Sequence, residues 1–230
     1  MENQAEQLLQ ALKGKTLDEV LTILSTGYAD VVFSTSFGKE DQVITHGIYK
    51  NQHRVQIFTL DTGRLFEETY EVFQRTIQKY KLPIQTYYPD QAAAEKMVSQ
   101  KGPYSFYDSV ENRKECCRIR KIEPLKRALA GKQIWITGLR REQSENRADM
   151  DMVEWDSANQ IIKVHPIFEW TEREVDEYTD QHHVPVNALH KKGFPSIGCG
   201  PCTRAIQPGE DFRAGRWWWE SSKKECGLHG

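Results

Sequence analysis

The sequence predicts an α/β fold, a mostly parallel twisted sheet flanked by helices, with a cysteine-rich C-terminal appendage and a mobile tail. Three observations carry this. Short β-branched and aromatic runs alternate with amphipathic stretches of helical spacing through most of the 230 residues. From Gly193 onward that periodicity stops, and Gly, Pro, Cys, Arg and Trp dominate. The bulk composition, 38% hydrophobic and 28% charged, is that of a globular chain long enough to bury a sizeable core.

Taken in order, residues 1–28 read as two short helices: LLQAL has helical spacing, and Thr16 with Glu19 forms a capping box for the second. Asp30-Val-Val-Phe33 is a short buried strand, Ser34-Thr-Ser-Phe-Gly-Lys-Glu40 a polar loop, and DQVITHGIYK a helix. The unit repeats, with Val55–Leu60 as strand, Asp61-Thr-Gly63 as loop and Phe66–Tyr80 as helix. Pro83–Tyr88 gives a third strand, and Arg113–Ala130 a helix in which Pro124 marks a kink or restart. Ile134–Thr137 is a fourth strand, closed by Gly138, and Val164 begins a run into HPIFEW. Thr171, with Glu174 three residues on, caps a last helix that reaches His183. The expected organisation is one domain over 1–230: helices over 1–28, an α/β core over 29–192 and the cysteine-rich segment over 193–230.

Charge and hydropathy exclude several classes. A formal net charge of −2 offers no global basic field for nucleic acid. No run of 18 apolar residues suggests a membrane span, and the polar start MENQAEQLLQALKGK lacks the apolar core of a secretion signal. A cytoplasmic chain is expected. Disulfides are rare there, so five cysteines point to metal or redox chemistry.

In parallel sheets, ligands sit beyond the carboxyl ends of strands. Three loops leave such ends here: STSFGKE, DTG and GLRREQSENR. The first sets small hydroxyls and a glycine before a helix N-terminus, where backbone N–H groups suit phosphate or sulfate, and the third adds arginines whose forks match such oxygens. Four cysteines fall in two pairs, Cys116-Cys117 and Cys199-Gly-Pro-Cys202. Three readings stay open: a 4Fe-4S cluster, a structural zinc, or redox-active thiols. Adjacent cysteines sit awkwardly on one tetrahedral ion, whereas a cubane offers each thiolate its own iron. Arg118, Arg120 and Lys121 follow the pair and would stabilise anionic charge. Cys226 stands alone near the end of the sequence, where a thiol packs no core but is free to move.

ECCRIRKIEPL, GCGPCTR, RWWWE and ECGLH together resemble the assimilatory adenylylsulfate reductases, the iron-sulfur relatives of the phosphoadenylylsulfate reductases. STSFGKED and LDTG resemble that family's modified pyrophosphatase-type loop and adenine-side loop, on an adenine nucleotide alpha hydrolase-like sheet, and the similarity runs from about Asp30 to His229. The resemblance implies reduction of adenylyl sulfate to sulfite and AMP, as a step of sulfate assimilation toward cysteine. Cys226 would attack the substrate sulfur, leaving an S-sulfocysteine that thioredoxin or glutaredoxin resolves. Cys116, Cys117, Cys199 and Cys202 would ligate one 4Fe-4S cluster, with Lys121 between cluster and substrate. Ser34, Thr35, Ser36 and Gly38 would form the nucleotide loop, Leu60 and Gly138 would supply backbone contacts, and Arg140 and Arg147 would belong to an arginine loop. Arg213 and Arg216 would clamp the phosphosulfate, and His229 lies in the closing tail. A homo-oligomer is implied as well.

Rival readings remain. A phosphoadenylylsulfate or dual-substrate reductase would take the 3′-phosphate on a cation such as Lys39. A cluster-bearing nucleotide sensor would leave Cys226 dispensable. An ATP-dependent adenylating enzyme would need an SGGxDS-like loop, where this chain has Phe37 at the first glycine position. Trp217-Trp218-Trp219 is read as packing of the appendage against the sheet, with a docking surface for the tail or a reductase partner as the alternative. His165 reads as structural, and His182 and His183 as surface residues.

Overall fold

The computed structural model describes residues 2–143 and 150–220. The chain divides into two compact units, each described by itself. The first comprises the chain up to Thr59, Glu68–Gln85 and Gly131–Asn187; the second comprises Leu60–Glu67, Thr86–Ala130 and the chain from Ala188 on. No helix among the described residues is long and apolar enough to cross a membrane.

Helices α1 (Glu2–Leu12) and α2 (Leu17–Gly27) open the first unit, and the Thr16/Glu19 capping box is formed as the sequence predicts. The strands β1 (Val31–Ser34), β2 (Gln56–Leu60), β3 (Ile84–Tyr87), β4 (Ile134–Ile136), β5 (Val153–Asp156) and β6 (Ile161–Val164) form one sheet in the order β3-β2-β1-β4-β6-β5. β1 runs parallel to β2 and β4, with Phe33 opposite both Ile57 and Ile136. β6 runs parallel to β4, and β5 closes the edge antiparallel to β6. Val31, Phe33, Ile57, Ile134, Ile136, Ile162 and Val164 join Leu12, Leu21, Leu24, Val43, Ile44 and Val175 in one apolar core. Helices α3 (Lys39–Lys50), α4 (Glu67–Tyr80) and α8 (Glu172–Gln181) complete the flanking layers, and Thr171 with Glu174 caps α8 as expected.

The sequence reading places Val164 at the start of a run, but it ends β6, so the β5–β6 hairpin is a correction. The second unit is helical. Helix α5 (Gln91–Lys101), absent from the sequence reading, is capped by Asp90, which accepts from the Ala93 N–H at 2.9 Å. The helix expected over Arg113–Ala130 is three pieces: α6 (Val110–Cys117), a π-helical turn over Arg118–Ile122, and α7 (Glu123–Leu129), with Pro124 in the first turn of α7. Proline has no N–H to donate to the preceding turn, so the chain widens and then restarts.

Candidate functional site: strand-end loops and a four-cysteine pocket

The loop after β1 is built around an acid. Asp41, in the first turn of α3, accepts from the Ser36 N–H at 2.5 Å and from its hydroxyl at 2.8 Å. Burial raises the Asp41 carboxyl to about 6, against the lowering effect of the two Ser36 bonds. Ser34 accepts from the Trp135 indole at 2.9 Å, and Thr35 takes the Phe37 N–H on its hydroxyl at 3.0 Å. All three predicted binding hydroxyls, on Ser34, Thr35 and Ser36, therefore also hold the loop. Gly38 is the α3 N-cap with an ordinary φ of −67°; the left-handed residue is Phe37, at φ 62°. A non-glycine residue there costs about 1 to 3 kcal/mol. Phe37 is buried and stacks on Phe73 at 4.6 Å, which offsets a cost of that size. Gly138 has its own requirement: a Cβ there would collide with the Asp41 carboxylate and lie 3.2 Å from the Asp41 nitrogen.

The described cations of this loop cluster have acidic partners. Arg140 is 2% exposed; its Nε donates to Glu40 at 3.0 Å, and its Nη1 donates to Glu142 at 3.3 Å and to the Trp170 carbonyl at 3.2 Å. Lys39 Nζ lies 2.6 Å from Asp176 and 3.7 Å from Glu172. Arg147 lies outside the described residues, as do Cys226 and His229. His165 is fully buried and shares hydrogen bonds with Thr137 (2.7 Å) and Glu154 (3.3 Å), in keeping with a structural role. His183 is exposed; His182, expected on the surface, is half-buried between His46 and Tyr178, because its ring completes an aromatic stack.

In the second unit, Cys116 and Cys117 at the end of α6 and Cys199 and Cys202 around a short 3₁₀ turn line one pocket. Arg64, Arg113, Arg120, Lys121 and Arg216 surround it, with Phe106 and Trp217 as apolar walls. Trp217 is expected against the sheet; its packing partners include Met97, Phe106, Ile119 and the thiols themselves. The Thr62 hydroxyl lies 3.3 Å from Cys199 Sγ, and Arg120 donates to the Thr62 carbonyl at 2.7 Å. Residues 61–64 form a tight turn: Asp61 accepts from the Gly63 N–H at 2.8 Å and Thr62 from the Arg64 N–H at 3.2 Å. Leu60 ends β2 and leads into this turn. A Cβ at position 198 would collide with the Arg216 guanidinium, so glycine there lets the arginine lie against the chain. Arg213 is half-buried beyond that segment.

The electrostatics differ thiol by thiol. Burial pushes Cys199 up, but Lys121, the Thr62 hydroxyl, Arg216 and Arg64 outweigh it and leave the thiol below its ordinary value. Burial raises Cys116 despite Arg64 and Arg120, and raises Cys202 to about 12 with a further push from Cys199. Three buried donors beside the thiols, Arg120 Nε, Arg216 Nε and Trp217 Nε1, have no hydrogen-bond partner. Four thiols ringed by cations and unsatisfied N–H donors fit an anionic, sulfide-bearing group, to which such donors give both charge and hydrogen bonds. Among the described residues, no three His, Cys, Asp or Glu side chains are grouped as ligands of a single metal ion.

Thr62, Arg64 and Arg113 were not singled out as site residues from sequence, whereas Arg120, expected among the cations beside the cysteine pair, does line the pocket. The pocket also has a clasp that the sequence does not announce. Arg113 donates from Nε and Nη2 to Glu220 at 2.8 and 2.9 Å, with both side chains nearly fully buried, and its guanidinium lies 4.8 Å from the Trp217 ring.

The phosphoadenosine phosphosulfate reductase domain family matches residues 30–205. The chain is 51% identical over 212 residues to an adenosine 5′-phosphosulfate reductase of Allochromatium vinosum, covering 92% of this chain and 83% of that one. It is 49% identical over 220 residues to the enzyme of the same name from Burkholderia cepacia, covering 95% and 88%. In structure it resembles phosphoadenylyl-sulfate reductase from Candida auris, with a TM-score of 0.78 at 24% identity over 90% of this chain and 98% of the other. It also resembles FMN adenylyltransferase of Candida glabrata, with a TM-score of 0.55 at 14% identity over 99% and 80%, a likeness of fold. With a family match over most of its length and relatives near half identical, this chain belongs to the phosphoadenosine phosphosulfate reductase domain family and is an oxidoreductase acting on a sulfur group.

Proposed function

We propose that residues 1–230 act as one reductase domain that converts adenylyl sulfate to sulfite and AMP, using a dithiol protein of the thioredoxin or glutaredoxin kind, in the cytoplasm. One observation carries the reading: two separated cysteine pairs share a single pocket lined by five cations. The two curated relatives described above are named adenosine 5′-phosphosulfate reductase, which supports the unphosphorylated nucleotide. So does Lys39, the candidate 3′-phosphate cation, which has Asp176 and Glu172 as partners.

In this reading, the Cys226 thiolate attacks the sulfate sulfur, a sulfur–oxygen bond breaks, and AMP leaves with the bonding pair. The enzyme then carries Cys226 as an S-sulfonate. A partner thiolate attacks Cys226 Sγ and expels sulfite; the partner's second thiol resolves the mixed disulfide and restores Cys226. Two electrons pass from the dithiol to sulfur. Attack by one anion on another needs offsetting positive charge, which Lys121, Arg147, Arg213 and Arg216 are assigned to supply, with His229 in the closing tail; Arg140, paired with Glu40 and Glu142, is assigned to holding the arginine loop. Ser34, Thr35, Ser36 and Gly38 are assigned to the nucleotide's anionic groups, and Leu60 and Gly138 to backbone contacts with the nucleoside. Cys116, Cys117, Cys199 and Cys202 would hold a 4Fe-4S cluster, which when bound supplies a fixed charged anchor between the two cysteine segments rather than electrons.

The test is sulfite release with thioredoxin, comparing adenylyl sulfate with its 3′-phosphorylated form. The expected result is a strong preference for the unphosphorylated nucleotide, and a Cys226→Ser variant that binds iron and labile sulfide at the wild-type level yet releases no sulfite. Retained activity in that variant overturns the nucleophile, and a zinc-containing, colourless anaerobic preparation overturns the cluster.

A further inference from the structure

One group of side chains in the second unit is left without a task by this chemistry. Tyr104, Tyr107 and Trp218 are 61%, 38% and 39% exposed, and they form a continuous aromatic platform. Tyr104 stacks on Tyr107 at 6.2 Å, Tyr107 meets Trp218 edge-on at 6.2 Å, and Trp219 braces both, at 4.5 Å from Tyr107 and 4.9 Å from Trp218. Trp218 lies two residues before Glu220, the residue that Arg113 clasps. Contiguous exposed rings of this kind mark interaction surfaces, and Trp and Tyr concentrate binding energy where they are covered.

We propose that this platform docks the dithiol protein that discharges Cys226, through the flat apolar rim around that partner's exposed thiol. The proposal rests on the reading that Cys226 carries the sulfonate. Covalent reach argues for it: Cys226 is six residues beyond Glu220, so its sulfur can be no more than roughly 25 Å from that anchored position. A protein whose thiolate touches that sulfur therefore works within one tail's length of the segment that carries Trp218. The chain's own residues 221–230, SSKKECGLHG, are a poor occupant, since Leu228 is their one large apolar side chain and three rings need covering.

The experiment measures sulfite release from saturating adenylyl sulfate with two reductants, thioredoxin over a concentration series and dithiothreitol. The variants are Trp218→Ala, Tyr104→Ala and the conservative Trp218→Phe, each matched to wild type in melting temperature and iron content. The alanine variants should raise the thioredoxin concentration for half-maximal rate about tenfold, with the maximal rate and the dithiothreitol rate unchanged. Trp218→Phe should recover most of the loss. An unchanged thioredoxin dependence overturns the proposal, as does an equal fall with dithiothreitol, which would place the rings in the chemistry or the fold. A variant-dependent change in oligomeric state by light scattering overturns it in favour of a second copy. Wild-type protein that releases no sulfite with either reductant fails at the function itself.

Discussion

The two anion-suited regions of this molecule use their cations in opposite ways. In the strand-end loops of the first unit, Arg140 is paired with Glu40 and Glu142, and Lys39 with Asp176 and Glu172. In the pocket of the second unit, Arg64, Arg120, Lys121 and Arg216 face thiols, and two of those guanidinium groups keep a buried Nε without a hydrogen-bond partner. Cations near an expected site read alike in sequence. Their partners decide what they do: a carboxylate-paired arginine fixes a loop, whereas one with unmet donors awaits an anion or holds a reduced sulfur.

Arg113 is where that contrast is most exposed to being broken, because it lines the thiol pocket yet is paired with a carboxylate. Glu220→Gln would leave a buried guanidinium partly uncompensated, a loss of about 3 to 5 kcal/mol. For a chain of this size the melting temperature should fall by roughly 10 °C. A loss near zero would mean that Arg113, which also sits close to the Cys117 sulfur, exchanges its acid for the thiols and behaves like its four neighbours.

Much of this was legible in the sequence, for identifiable reasons. Strands β1, β2 and β4 announce themselves as short apolar runs before polar loops, and the boxes at Thr16 and Thr171 follow from side-chain chemistry alone. The cysteine pairs were legible because their spacing is chemistry. The β5–β6 hairpin was not: β6 is buried at every position and shows no alternation, and its turn relies on Asp156 accepting from the Asn159 N–H and on Gln160 at φ 54° rather than on glycine or proline. Helix α5 buries little besides Met97, so no apolar stripe marks it. Thr62 at Cys199, and Arg113 with Glu220 107 positions along the chain, depend on tertiary approach, which no local pattern records.

The first unit's electrostatics can be sharpened by pH. His46 is held down to about 4, first by burial and then by His182, Lys79 and Lys50, so the folded state resists its protonation. Its folded value lies below the unfolded one, and stability from this group is lost as pH falls from about 6.5 toward 4. Asp41 has the opposite sign. Its folded value, about 6, lies above the unfolded one, so stability is lost as pH rises from about 4 through 6, by at most about 3 kcal/mol. The two slopes oppose each other across the same window. His46→Gln should therefore leave a protein that loses stability as pH rises from 4 to 6, and Asp41→Asn one that loses it more steeply on acidification than wild type. Denaturant melts at half-unit pH steps would show this, and parallel curves for all three proteins would remove both groups from the account.

The smallest expected effect bears most directly on which nucleotide is used. Lys39 stands at the start of α3, next to the loop assigned to the nucleotide, with Asp176 at 2.6 Å and Glu172 at 3.7 Å. Both acids are about half exposed, so the pairing is worth no more than about 1 kcal/mol and a strong anion can compete for the lysine. What the acids impose on a 3′-phosphate is chiefly repulsion, because they bring negative charge to where a further phosphate would arrive. Asp176→Asn with Glu172→Gln keeps the shapes and removes both charges. The ratio of kcat/KM for the 3′-phosphorylated over the unphosphorylated nucleotide should rise severalfold, through the first and not through a fall in the second, and Lys39→Ala in that background should take the gain away. If the ratio stays fixed, the acids around Lys39 serve the docking of α8 against α3 and nothing more, and the discrimination between nucleotides belongs to residues nearer the arginine loop.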